Sequence, residues 1–129
     1  MAIKDKKKLT ELELEVMKAV WDLGETTIGE VGLKLQASSK KKHAYTTIAT
    51  MMKILEKKKF LKSKKVEKAH KYAPLVTMDV YEKSATDHFI DKVLGGKPRL
   101  LVMRLLDNEN INKEELKEIK KSLDARIKG

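Results

Sequence analysis

Apolar stripes of helical period, separated by short polar breaks, run along the whole chain, and several open on a start signal. Thr10 stands three residues before Glu13, the spacing of a capping box that satisfies free N–H groups at a helix start. Leu12, Val16, Val20 and Leu23 then mark one face, widened by Met17 and Trp21, and Gly24 supplies a stop. The signal recurs at Thr27 and Glu30, around Ile28, Val31 and Leu35, for a short helix ending near Gln36. Gly29 and Gly32 weaken that helix by roughly 1 kcal/mol each against alanine. They are therefore expected where another helix backbone comes close.

The polar stretch "ASSKKKHA" leads into a third helix, expected from about Lys42 to Lys58. Its spacing buries Tyr45, Ile48, Met52 and Leu55, with Met51 alongside, and turns Thr46, Ala49, Thr50, Lys53 and Lys57 to the opposite face. That outer face has short side chains first and long cations later, so the helix can lie close to a target. Major-groove reading asks for this shape: threonine hydroxyls and methyls meet base edges while lysines take phosphates.

Next, "FLKSKKVEKAHKYAPLV" alternates as a β-hairpin, Leu61 to Val66 and His70 to Ala73, with a turn near Glu67 to Ala69 and Pro74 ending it. Three helices followed by a basic hairpin describe a winged helix-turn-helix, with Lys62, Lys64, Lys65, Lys68 and Lys71 available to a DNA backbone. The phosphate-contacting set expected overall is Lys42, Lys53, Lys57, Lys64, Lys65 and Lys68.

The last third is helical. Thr77 caps a helix over about Met78 to Leu94, with Tyr81, Ala85, Phe89 and Val93 at i+4 steps and Gly95-Gly96 closing it. Pro98 opens the short apolar helix "PRLLVMRLL", and Asn112 with Glu115 starts a charged helix striped by Leu116, Ile119, Leu123 and Ile127. None of these can form a core alone. Pairing two copies would bury them, and folding back onto the first domain is the alternative; on the paired reading Tyr81, Phe89, Leu101, Leu105, Leu116, Ile119 and Leu123 are the expected dimerisation residues. The fold class is thus mainly α with a small β-hairpin wing: a winged helix-turn-helix over residues 1–76 and a helical dimerisation domain over 77–129.

Charge sharpens this division. Residues 1–75 hold 18 Lys/Arg against 9 Asp/Glu, while residues 76–129 hold 11 against 10, so the net charge of +10 belongs almost wholly to the first part. A segregated excess of this kind marks a polyanion-binding module joined to one with another task. With no cysteine among the 129 residues, thiolate nucleophiles, disulfides and cysteine-held metals are excluded. The first residues lack the apolar core of a signal peptide, no run is long enough to span a bilayer, and a cytoplasmic protein without membrane insertion is expected.

The stretches "LTELELEVMKAVWDLGETTIGEV" and "AYTTIATMMKILEKKKFL", followed by "KYAPLVT" and "HFIDKVLGG", resemble the penicillinase-repressor family, the BlaI/MecI/CopY type of bacterial repressor. The resemblance is co-linear over nearly the whole chain. It implies a homodimer on an inverted-repeat operator of double-stranded DNA, typically of the TACA/TGTA kind, with Thr46, Thr47 and Thr50 at the base-reading positions. Family members commonly have arginine where Ile54 stands here, and glycine where Lys59 stands. Copper-responsive members use a cysteine motif that this chain lacks. Where members controlled by a membrane sensor-protease are cut at an Asn-Phe pair, this chain reads Arg104-Leu105, so a sensor-protease partner has to accept that pair.

Enzyme chemistry finds little support. His43, His70 and His88 are scattered, and Asp87 and Asp91 beside His88 give the one ligand-like spacing; no metal or other cofactor is expected. The alternative function is a non-specific or architectural nucleic-acid-binding protein, since basic charge alone explains affinity for any duplex. The threonine face and the dimer-like tail favour a sequence-specific repressor.

Overall fold

The computed structural model describes residues 8–38 and 42–129. Residues 1–7 and 39–41, the latter within the polar stretch before the third helix, lie outside them. The elements are α1 (Glu11–Leu23), α2 (Ile28–Ser38), α3 (Tyr45–Lys57), β1 (Leu61–Val66), β2 (Ala69–Pro74), α4 (Met78–Val93), α5 (Pro98–Leu106) and α6 (Lys113–Lys128). Three helices and an antiparallel hairpin in this order make a winged helix-turn-helix. The chain divides into two compact units between Thr86 and Asp87, inside α4.

In the first unit α1 starts on the expected capping box: Glu13 N–H donates to Thr10 Oγ1 at 3.2 Å, and Thr10 N–H to Glu13 Oε1 at 2.8 Å. Val16, Met17, Ala19 and Val20 are buried, whereas Leu12 is half-buried and Leu23 exposed. Glu13 is itself buried, and Lys58 Nζ donates to both its carboxylate oxygens, at 3.0 and 2.8 Å. Burial pushes the Glu13 carboxyl up, but the Lys58 ammonium and the Thr10 donors outweigh it and hold the group below the usual carboxylate value.

Thr27 and Glu30 close a second reciprocal box at the start of α2, which buries Val31 and Leu35. The close approach expected at its glycines does not occur. A Cβ on Gly32 would meet nothing within 4 Å, and one on Gly29 only the Thr27 hydroxyl at 4.0 Å. α2 is a weak helix held by its apolar face.

α3 begins at Tyr45, three residues later than expected, on Ala44, which offers no side-chain cap. Ile48, Met52 and Leu55 are buried, but Tyr45 is 64% exposed. The periodicity put Tyr45 on the buried side, and there it fails: the core ends one turn short of it. The helix closes on a Schellman motif, with Phe60 N–H donating to Leu55 O at 2.9 Å and Lys59 N–H to Glu56 O at 3.0 Å. Lys59 takes the left-handed conformation at φ 71° that this motif normally assigns to glycine, at a cost of roughly 1–2 kcal/mol. Phe60, fully buried beside the buried Leu55, supplies the hydrophobic contact that fixes the turn.

The hairpin pairs Leu61 with Pro74 through to Val66 with Ala69, leaving the two-residue turn Glu67-Lys68 with Glu67 at φ 58°. Leu61 and Tyr72 are buried on one face. Thr26 adds a single bridge to Tyr72, exchanging backbone hydrogen bonds of 2.8 and 2.7 Å, which ties the root of the wing to the α1–α2 turn.

The start of α4 belongs to this unit. Tyr81 is buried, edge-on to Phe60 at 5.8 Å and tilted against Trp21 at 6.0 Å, and its hydroxyl accepts from Leu9 N–H at 3.2 Å. Trp21 Nε1 donates to Val76 O at 2.8 Å. The second unit contains the end of α4, α5 and α6, the last opening on an Asn112/Glu115 capping box, and buries no residue from 87 to 129.

Candidate nucleic-acid interface

The outer face of α3 is presented as its spacing requires. Thr46, Thr50, Lys53 and Lys57 are exposed, Thr47 and Ala49 are half-buried, and Lys42 lies exposed just before the helix. Thr50 Oγ1 donates to Thr46 O at 2.8 Å, one turn back. With its proton committed to that carbonyl, the Thr50 hydroxyl is left to act as an acceptor.

The hairpin register sorts the wing cations. Lys62 and Lys64 share one face with Lys71, which stands directly opposite Lys64; Lys65 lies on the other face, opposite His70, and Lys68 occupies the turn. Lys64 is held by Glu25 at 3.2 Å, so one lysine expected at phosphate has a carboxylate partner in the DNA-free protein. Between α3 and the wing runs an open groove of about 790 Å³, lined by Tyr45, Lys53 and Glu56 from the helix, Ser63, Lys68 and His70 from the hairpin, and the start of α2. At its floor the Tyr72 hydroxyl is pushed above its usual pKa, first by burial and then by the Glu56 carboxylate and the Tyr45 hydroxyl. Spacing missed Tyr45, Glu56, Ser63 and His70 as groove residues, because the groove exists only once the hairpin folds beside α3.

All the expected base- and phosphate-contacting positions therefore lie in the first unit. The expected dimerisation residues do not stay together. Tyr81 is corrected: its ring is locked against Phe60 and Trp21 and offers no face to a partner. Phe89, Leu105, Leu116, Ile119 and Leu123 are exposed and Leu101 is half-buried, joined by Val93, Val102, Met103, Leu106 and Ile127, which that set left out. Among the described residues, no group of three or more His, Asp or Glu could hold a metal ion, and no helix is long and apolar enough to cross a membrane.

Residues 9–125 match the family model described as penicillinase repressor. The chain belongs to that family. Penicillinase repressors are DNA-binding transcriptional repressors and not enzymes, and so is this chain. It is similar to the penicillinase repressor of Staphylococcus aureus, 27% identical over 112 residues that cover 87% of each chain. The methicillin resistance regulatory protein MecI of S. aureus strain N315 is 26% identical over 118 residues, 92% of this chain and 94% of that one. The solution structure of the monomeric form of Bacillus licheniformis BlaI in complex with the blaP half-operator superposes on 58% of this chain and 89% of that one, with 31% identity and a TM-score of 0.48.

Proposed function

We propose that this repressor works as a homodimer on an inverted-repeat operator, each α3 in a major groove and each wing on the adjacent backbone. One observation carries the reading: the first unit exposes Thr46, Thr50, Lys53 and Lys57 in a row beside the wing cations. Thr46, Thr47 and Thr50 are assigned to bases, and Lys42, Lys53, Lys57, Lys64, Lys65 and Lys68 to phosphates. The unburied apolar stripes of the second unit support pairing of two copies, which would present two heads to a two-fold site. On this reading the protein acts in the cytoplasm and blocks polymerase until the dimer is weakened. A membrane sensor-protease cutting at or near Arg104-Leu105, both exposed on α5, would weaken it.

Selection of bound duplexes from a random pool at physiological salt tests this directly. An enriched inverted repeat is expected; binding without enrichment would leave a non-specific binder. Thr50→Ala should then reduce the preference for the selected operator by roughly 1–3 kcal/mol per half-site, while Lys65→Ala weakens all duplexes alike and flattens the salt dependence.

A further inference from the structure

Strand β1 is gripped at two consecutive residues, from its two faces, by carboxylates on different elements. Facing α3, Ser63 Oγ donates to Glu56 Oε2, in the last turn of that helix, at 2.5 Å. On the opposite face Lys64 pairs with Glu25 of the α1–α2 turn. The root is fixed by buried Leu61, and at the level of Ser63 the opposite strand is tied by the bridge from Tyr72, the cross-strand partner of Ser63, to Thr26. Toward the tip, among the described residues, no side-chain hydrogen bond or ion pair ties residues 65–71 to the rest of the unit. Among the described residues, Ser63 thus makes the outermost side-chain hydrogen bond between α3 and the wing.

Glu56 is a costly residue to keep in this groove. A carboxylate beside Lys53 and Lys68 repels the phosphates that those lysines attract. On the reading that α3 and the wing bind DNA, we infer that Glu56 is a positioning residue. Through Ser63 it sets the angle between wing and helix, so that the base-reading face and the wing cations engage one duplex together. Two contact sets on a rigid frame act as one bivalent ligand; a wing that swings loses that advantage in the operator complex. A non-specific complex, with no base register to satisfy, depends on the angle less.

Charge and position predict opposite signs, which makes the inference testable in the full-length protein. Operator and random duplexes are titrated across a salt series with the wild type and with Ser63→Ala, Ser63→Thr and Glu56→Gln. Ser63→Ala keeps the repelling carboxylate and removes only the anchor. It is expected to weaken operator binding roughly three- to tenfold, to flatten its salt dependence, and to affect random duplex less. Ser63→Thr should restore both. Glu56→Gln keeps an acceptor carbonyl without the charge and should bind both duplexes more tightly. A Ser63→Ala protein that prefers the operator as strongly as the wild type overturns the inference alone. Equal losses on both duplexes together with a lowered Tm do the same, because they mark a merely structural bond. A wild type with no sequence preference overturns the DNA-reading assignment and this inference with it.

Discussion

The regions before and after the Thr86/Asp87 division carry apolar side chains at the same helical spacing and open helices on the same kind of cap, but only the first closes around a core. Thr10 with Glu13 and Asn112 with Glu115 form equivalent boxes. Behind the first, Val16, Met17 and Val20 are fully buried; behind the second, Leu116, Ile119, Leu123 and Ile127 remain 39–81% exposed. A cap is satisfied by four residues of local chain, whereas burial needs another element to supply the opposite wall. The difference teaches that helix formation and helix burial are separate questions. On the homodimer reading proposed above, this open apolar surface is the one a second copy would cover.

Several experiments break or sharpen that contrast. The largest effect is expected from Leu116→Asp or Ile119→Asp, which should give monomers by light scattering and cost roughly a hundredfold or more in operator affinity through lost bivalency. An unchanged mass would remove α6 from the interface. Phe60→Ala should instead destabilise the first unit by about 3–5 kcal/mol in denaturant unfolding and leave the oligomeric state of the remaining folded protein unaltered. A smaller effect follows acidification. Because Glu13 is depressed in the fold, its stabilisation is complete above the usual carboxylate pKa and is lost as pH falls through its lower folded value. The Tm of the first unit should therefore drop with acid by less in Glu13→Gln than in the wild type. The smallest is a gain: Lys59→Gly relieves a left-handed lysine and should raise stability by about 1 kcal/mol, read as a higher Tm at unchanged operator preference.

Much of the fold was legible because its signals are local. The capping boxes, the Gly24 stop, the Pro98 start and the hairpin each depend on residues within one element. Periodicity also turned Thr46, Thr50, Lys53 and Lys57 outward correctly. What escaped depends on where elements end relative to one another. Tyr45 and Tyr81 occupy equally regular apolar positions, but the core stops short of one and surrounds the other. Spacing cannot distinguish them. Burial of Glu13 was equally hidden, since its partner Lys58 lies 45 residues away, and the Thr26–Tyr72 bridge leaves no mark in composition. The small size of Gly29 and Gly32 invited a packing explanation that the open space around them removes.

The hairpin register carries one more consequence. Because Leu61 and Tyr72 are anchored in the core, every residue beyond them on each strand has its side fixed by parity. An inserted or deleted residue between the root and the turn would move Lys65 to the outer side and Lys64 to the inner one, inverting the cationic pattern without changing a single charge. Length variation in this wing should therefore come in steps of two. A buried aromatic ring thus acts as the phase reference for the electrostatics of the surface above it.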